Sequence, residues 1–147
     1  MKKISMLITG CFMTGLVSCQ ENKEDTENSA PEAVQMSFQK KYPGENDPDW
    51  KLDDHGYWES QFKQDGEKYR ADFNEDGSWI ETENDIKEKN LPEAIKKEIK
   101  NNYSEYEITE VEHVVSAKYG EFYDVEFKQK GKNKDVMFRG DGTVIDK

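Results

Sequence analysis

The residues best spaced for chemistry are four oxygen-bearing side chains within residues 72–83. Asp72, Asn74 and Asp76 alternate along the chain, a glycine follows, and Glu83 stands at the twelfth position counted from Asp72. This spacing matches a calcium-binding loop, in which oxygen ligands alternate and a final carboxylate closes the site. Such a loop belongs between two helices. Alternating apolar residues flank this one, so the competing interpretation is a plain Asp-Gly hairpin between strands.

Other candidate catalytic groups are sparse. His55 and His113 are the two histidines, and they do not occupy matching places in the sequence repeat described below. The serines stand in no nucleophile-elbow motif, and no glycine-rich phosphate loop occurs. We therefore predict that the protein is not an enzyme, has no catalytic residues and needs no cofactor.

The composition narrows the class of partner. The chain has 147 residues, a net charge of -11, 36% charged residues and only 33% hydrophobic residues. Its aromatic content of 12% nevertheless supplies large side chains for a thin core. The acidic balance argues against a nucleic-acid partner, which would need a basic surface.

An internal duplication organises the elements that must position these residues. Residues 57–80 match residues 122–145 without a gap, and Phe73-x-x-Asp-Gly is repeated at Phe138. A fixed-period match of this kind indicates a duplicated structural unit. Upstream of each copy, an apolar residue recurs every fourth position after a proline, which predicts a helix with one apolar stripe. The two stripes are Val34, Phe38 and Tyr42, and Ile95, Ile99 and Tyr103.

We predict an α+β fold made of two tandem units, residues 31–85 and 86–147. Each unit is expected to contain one helix and a four-stranded antiparallel meander, because Asp-Gly and similar turn signals separate alternating segments. The predicted strands are residues 50–52, 57–64, 68–74 and 78–82, then 108–117, 121–130, 134–139 and 143–146. The units would join into one sheet of up to eight strands, with both helices on one face and the other face open.

The N-terminal segment predicts where the protein is located in the cell and is not part of the predicted fold. Two lysines precede an apolar stretch that is too short to span a bilayer comfortably, and this stretch ends in Leu-Val-Ser-Cys19. That ending resembles the lipobox of bacterial lipoproteins, which implies a signal peptide over residues 1–18 and a lipid on Cys19. Gln20 follows, so the resemblance implies the outer membrane, facing the periplasm or the cell surface. An ordinary secretory signal with an incidental cysteine is the alternative. Residues 19–30 are predicted to be an acidic flexible tether.

The repeated motifs carry a family resemblance. Leu-Pro-x-Ala-Ile-x-x-x-Ile-x-x-x-Tyr at residues 91–103, followed by strands and Phe-x-x-Asp-Gly, is similar to the PepSY-like domain, a family also described as β-lactamase-inhibitor-like. The resemblance covers residues 31–147. It implies a fold like that of the β-lactamase inhibitor protein and a cell-envelope location. The inhibitor is disulfide-bonded, whereas residues 31–147 of this chain contain no cysteine to match, so inhibition does not carry over directly.

Alternation along the strands predicts a binding surface on the open face. Tyr57 and Phe122 occupy matching places in the two copies, and charged residues surround them. Exposed aromatic side chains with a charged rim suit protein recognition. The predicted surface comprises Tyr57, Glu59, Lys63, Arg70, Phe122, Glu126 and Lys128.

The leading hypothesis is a protein-binding module, inhibitor-like, whose open sheet face or hairpins engage an unknown protein of the cell envelope. The first alternative is a calcium or small-ligand sensor that uses the loop at residues 72–83. The second alternative is a purely structural envelope component without a discrete partner. In each case the membrane contact would be made by the lipid on Cys19.

Overall fold

The computed structural model describes residues 29–145, which form one antiparallel sheet and two helices. The predicted signal peptide, Cys19 and most of the predicted tether lie outside the described residues. Ala30, the last residue of that tether, is buried in the core, so the packed domain already includes it. The elements in chain order are α1 Glu32–Lys41, β1 Asp49–Leu52, β2 Trp58–Gln64, β3 Glu67–Phe73, β4 Trp79–Asp85, a 3-10 turn Glu88–Asn90, α2 Glu93–Asn102, β5 Glu107–Ser116, β6 Gly120–Gln129 and β7 Lys132–Phe138.

The sheet is a meander of seven strands in the order β1 to β7, and every neighbouring pair is antiparallel. The expected α+β class is therefore confirmed, but the strand count differs. The predicted strand at residues 143–146 is, in the described residues, a turn followed by a single bridge between Phe138 and Val144. The turn returns the chain only far enough for Ile145 N–H to donate to the Met137 carbonyl at 2.8 Å. The second half of the sheet thus has three strands.

The strand β4 is longer than predicted and joins the two halves. The fourth predicted strand ends at residue 82, yet β4 runs to Asp85. Its end pairs with β5, with Glu83 opposite Val114 and Asp85 opposite Glu112. Ladder hydrogen bonds outweigh the poor β propensity of these polar residues, because the neighbouring strand is present to pair with them. Two acidic side chains are thereby brought into the sheet.

Both helices cover the same face, as expected. The helix α1 lays Val34 and Phe38 on a cluster that includes Phe62 and Phe73, and α2 lays Ile95 on a second cluster. The second cluster is completed by Leu91, Val111, Val125, Phe127, Val136 and Phe138. Each fully buried aromatic or aliphatic side chain contributes about 1.5–3 kcal/mol, so these clusters provide most of the favourable free energy of folding.

The repeated Asp-Gly turns lie against the first turns of the helices. A Cβ added at Gly77 would meet the Ala33 carbonyl oxygen at 2.5 Å, and one at Gly142 would meet the Ala94 carbonyl oxygen at 2.9 Å. Both glycines also have positive φ, at 84° and 86°. The duplicated motif therefore has a structural reason, since only glycine allows this turn and this close approach together.

Candidate functional site

The predicted calcium loop is the hairpin between β3 and β4. The Oδ1 atom of Asp76 accepts hydrogen bonds from the Ser78 hydroxyl and backbone N–H, at 2.6 Å and 2.8 Å. These bonds, the side-chain one first, lower the pKa of Asp76. The Asn74 amide donates to the same Ser78 hydroxyl at 2.8 Å. Two of the four proposed ligands are thus engaged in shaping the turn.

The other two proposed ligands stand on the open face of the sheet. Asp72 lies opposite Glu81, and Glu83 lies opposite Arg70. Across residues 29–145, Asp72, Asp76 and Glu83 do not form a cluster of metal-sized dimensions; the cluster of that size is formed by Asp85, Glu110 and Glu112, whose carboxylate atoms lie within 4.8 Å of one another. The loop at residues 72–83 therefore does not gather its carboxylates around one point.

Arg70 is the central cation of the open face. Its Nη2 lies 2.7 Å from Glu83 Oε1, and its Nε lies 3.9 Å from Asp72 Oδ2. Burial alone would lower the pKa of Arg70, but Glu83 and Asp72 outweigh it and raise that pKa. Arg70 Nε and Asp72 Oδ1 are both enclosed and have no hydrogen-bond partner. Arg70 thus remains charged while its two carboxyl neighbours compete for it.

The carboxyl groups of Asp72 and Glu83, beside Arg70, have raised pKa values. Burial, opposed by Arg70 and reinforced by Glu81, raises the pKa of Asp72 to about 6. Burial and a hydrogen bond with the Glu112 carboxyl raise the pKa of Glu83, against the pull of Arg70. Both residues are less than one-tenth exposed. Removing carboxylates from water disfavours their charged form, and one cation is shared among several of them.

A run of acidic side chains continues from this cluster across the second half of the sheet. Direct cross-strand neighbours have the same charge: Asp85 faces Glu112, Glu110 faces Glu126, and Glu126 in turn faces Asp135. We call the set the acidic band. Its members are Asp85, Glu110, Glu112, Asp124, Glu126 and Asp135.

Sequence reasoning included Glu126 and missed the rest of the acidic band. The available signal was the alternation of acids with apolar residues along β5 and β6, at Glu110 and Glu112 and again at Asp124 and Glu126. In a chain with so many carboxylates this alternation is easily discounted. The pairing of β5 with β6, which aligns the two runs, could not be read from composition.

Two depressions mark the open face. A groove of about 750 Å³ runs from the loop before β1 to β5, and its lining includes Lys63, Lys68, Arg70, Glu83 and Glu112. A second depression of about 200 Å³ is lined by five residues, and all five are acidic. These five are Glu110, Glu112, Asp124, Glu126 and Asp135. The lining of the open face therefore changes from mixed charge in the groove to negative charge in the second depression.

The predicted binding surface is only partly accessible. Tyr57 is 37% exposed and stacks on His55 at the turn before β2, while Lys63 and Lys128 are exposed on their strands. Phe122 lies on the open face, opposite Val114, but is only 3% exposed. Tyr119 and Ile145 cover it, together with Val114 and Met137. Glu59 and Arg70 lie on the neighbouring strands β2 and β3. Glu126 belongs to the acidic band.

The histidines are separated. His55 sits in the exposed β1–β2 turn beside Asp53, at 3.3 Å between Nδ1 and Oδ2. His113 lies on β5 with its Nε2 2.9 Å from Glu121 Oε1. No metal-sized cluster in the described part of the chain includes either residue.

The family assignment follows from the match of residues 56–146 to the family described as "Putative beta-lactamase-inhibitor-like, PepSY-like". The chain belongs to this PepSY-like family. A search of curated proteins gives no match. Within residues 29–145, neither helix has the length and apolar character needed to cross a bilayer.

Solved structures show the same fold. A BLIP-like protein from Bacteroides fragilis is 23% identical, with a TM-score of 0.70 over 83% of this chain and 88% of that one. A DUF2874 family protein from Bacteroides ovatus is 23% identical, with a TM-score of 0.71 over 81% and 86%. A protein from Bacteroides eggerthii described as a "putative periplasmic" protein is 20% identical, with a TM-score of 0.69 over 80% and 87%.

Proposed function

We propose that this protein is a non-enzymatic lipoprotein of the cell envelope that binds another protein through the open face of its sheet. The observation that carries the proposal is the uncovered face itself. Both helices lie on the opposite face, and a groove of about 750 Å³ crosses the uncovered one. The family description, β-lactamase-inhibitor-like, supports an inhibitor-like mode of binding.

The location is part of the same proposal. The Leu-Val-Ser-Cys19 sequence supports a lipid on Cys19, and Gln20 supports the outer membrane. A structural neighbour described as periplasmic supports an envelope location. Incorporation of radiolabelled palmitate into the wild-type chain, and its loss in Cys19→Ser, tests the anchor. Absence of label from the wild-type chain would leave the ordinary secretory signal as the better interpretation, and equal labelling of both chains would place the lipid on another residue.

A capture experiment tests the binding function. The chain is immobilised and exposed to envelope extract, secreted proteins and purified β-lactamases. Its open-face variant carries Tyr57→Ala, Lys63→Ala and Lys128→Ala, because these side chains are exposed and their truncation should leave the core intact. The matched control carries Met36→Ala, Lys40→Ala and Lys97→Ala, three exposed positions on the helices.

The outcomes separate a binding module from a structural component. A protein held by the wild type and by the helix control, but released by the open-face variant, would support the proposal. If that protein is a β-lactamase, its rate of nitrocefin hydrolysis should fall on adding the wild type and recover with the open-face variant. Equal retention by all three chains, or retention of nothing, would contradict binding through the open face.

A further inference from the structure

The hairpin between β6 and β7 concentrates positive charge in an otherwise acidic chain. Residues 128–134, which we call the lysine hairpin, contain four lysines and no acidic residue, although acidic residues outnumber basic ones by 32 to 21 in the whole chain. All four lysine side chains are exposed. Lys128 lies opposite Glu107 on β5, but within residues 29–145 none of the four forms an ion pair. The hairpin therefore carries a positive charge that the domain does not neutralise.

The other copy of the sequence repeat shows that the fold does not require these lysines. The hairpin between β2 and β3 corresponds to it position by position, and has Asp65 and Glu67 where the lysine hairpin has Lys130 and Lys132. The two turns share one backbone geometry, because Asp65 and Lys130 have φ of 53° and 52° and a glycine with positive φ follows each. The two copies thus differ at this turn in charge and not in shape.

Protection of the sheet edge explains only two of the four lysines. The strand β7 is the last of the sheet, and lysines on an edge strand discourage the addition of other strands. This reason applies to Lys132 and Lys134. Lys128 lies on β6, which is paired on both sides, and Lys130 lies in the turn. These two lysines need another explanation.

The lysines surround the tip of the hairpin and do not lie on one side of it. Lys134 lies opposite Phe127 and therefore on the helix side of the sheet, where its Nζ is 5.0 Å from the centroid of the Tyr103 ring. Lys128 follows Phe127 in the chain, so its side chain points to the open face. Lys130 stands in the turn between the two faces. A complementary surface must therefore enclose the tip from both sides.

The meander places the lysine hairpin far from the point where the chain enters the domain. Successive turns alternate between the two ends of the sheet, so the β6–β7 turn and the β3–β4 turn lie at opposite ends. At the β3–β4 turn, Gly77 approaches Ala33 in the first turn of α1, just after the chain enters at Ala30. The strand β6, with ten residues, spans about 33 Å. A lipid anchor on the N-terminal segment would thus hold the domain by the end opposite to the lysine hairpin.

We propose that the lysine hairpin binds an acidic cleft of the partner protein. This inference rests on the proposed binding function, and it adds a second contact and the chemistry of the surface contacted. Positive charge on both sides of the tip complements a cleft with two acidic walls better than it complements the plane of an anionic bilayer. The net charge of -11 also opposes approach to an extended anionic surface, whereas a cleft would meet the tip alone.

An exchange of charge between the two hairpins tests the inference on the full-length chain. The tip variant carries Lys130→Asp and Lys132→Glu, which are the residues that the first copy has in this turn, so the fold should be retained. The control variant carries Lys87→Glu and Lys97→Glu, which make the same change of charge at exposed positions elsewhere. Circular dichroism verifies the folding of both. The probe is acetyl-Glu-Ala-Glu-Ala-Glu-Ala-Glu-amide, and the comparison peptide replaces each glutamate with lysine.

Binding constants and amide shifts decide between a local site and general attraction. At physiological salt we expect the tip variant to bind the acidic peptide about tenfold more weakly than the wild type, because two attractive charge pairs become repulsive. The control variant should change the affinity by less than about twofold, because screening confines each charge to about 8 Å. Amide shifts in nuclear magnetic resonance spectra should move at residues 128–134. Equal weakening by the two variants, shifts confined to other residues, or tighter binding of the basic peptide would overturn the inference.

Two further readouts keep this test separate from that of the proposed function. The tip variant retains the three side chains that the open-face variant lacks, so a captured partner that the open-face variant releases and the tip variant holds would contradict the acidic cleft alone. If the acidic peptide binds at the lysine hairpin while capture retains nothing, the inference stands and binding through the open face fails. Adsorption to phosphatidylglycerol vesicles that the tip variant loses, without binding of the acidic peptide, would assign the hairpin to a membrane surface and overturn the inference.

Discussion

The two faces of the sheet differ in what they contribute to the stability of the fold. The covered face gathers aromatic rings under two helices, and Phe38 alone has Tyr42, Trp50, Phe62 and Phe73 within 6.3 Å between ring centroids. The open face places like charges opposite each other and encloses carboxyls that hold their protons. The contrast indicates that stability comes from one face, while the other retains features that stability alone would remove.

Truncating a ring on the covered face should have the largest effect. Phe38→Ala removes a fully buried side chain and should lower the free energy of unfolding by about 3–5 kcal/mol. Urea unfolding followed by tryptophan fluorescence measures it. Gln61→Ala, an exposed position on the open side of β2, should stay within about 0.5 kcal/mol of the wild type. Similar losses for both would remove the contrast between the faces.

Substituting a glycine that contacts a helix should cause the next largest loss of stability. Gly77→Ala combines a left-handed backbone with a 2.5 Å approach to the Ala33 carbonyl, so we expect a loss of about 2–4 kcal/mol. Gly66→Ala is the matched control, because its φ is 86° but nothing lies within 4 Å of the added Cβ. It should lose only about 1–2 kcal/mol from backbone strain. Equal losses in thermal unfolding would show that the helix contact at Gly77 is unimportant.

The free energy of unfolding of Glu83→Gln should depend on pH differently from that of the wild type, because the enclosed Glu83 carboxylate destabilises the fold. The pKa of Glu83 is raised above its ordinary 4.5 in the folded protein, so its contribution to stability is present below that value and is lost as pH rises. The variant stays neutral. Between pH 5 and pH 7 it should therefore gain about 1–2 kcal/mol relative to the wild type.

Asp76, whose pKa is lowered in the folded protein, provides the control for this pH effect. The pKa of Asp76 is lowered by its bonds from Ser78, so Asp76 stabilises the fold above its ordinary 3.8 and this effect is lost as the pH falls. Asp76→Asn should therefore be weakened relative to the wild type at neutral pH and approach it in acid. Parallel pH curves for the two variants would contradict the assignment of the shifts.

Neutralising one pair of facing carboxylates should have the smallest effect on stability, and this effect should be a gain. Glu126→Gln with Asp135→Asn removes two carboxylates that face each other on β6 and β7. We expect a gain of about 0.5 kcal/mol in the free energy of unfolding, at low salt more than at high salt. The exposed pair Glu75→Gln and Glu105→Gln, which lies outside both helices, should leave stability unchanged. A loss of stability in the first variant would show that the band supports the fold.

The sequence predicted the covered face better than the open one. The helices and most of the core follow from periodic apolar residues such as Val34 and Phe38, whose spacing is a local property. The failures depend on tertiary pairing. The extension of β4 through Glu83 and Asp85 required β5 as a neighbour, and the burial of Phe122 required Tyr119 and Ile145 to fold over it. The acidic band exists only in the register of four strands.

The edges of the meander have a consequence for chains held close together on a surface. A sheet that is not closed exposes two rows of backbone donors and acceptors, which invite other strands to add and form aggregates. Here β1 has only four residues, and β7 carries exposed Lys132 and Lys134. Short edges and edge lysines both discourage such addition. Crowded copies can thus remain separate molecules, each with its uncovered face available.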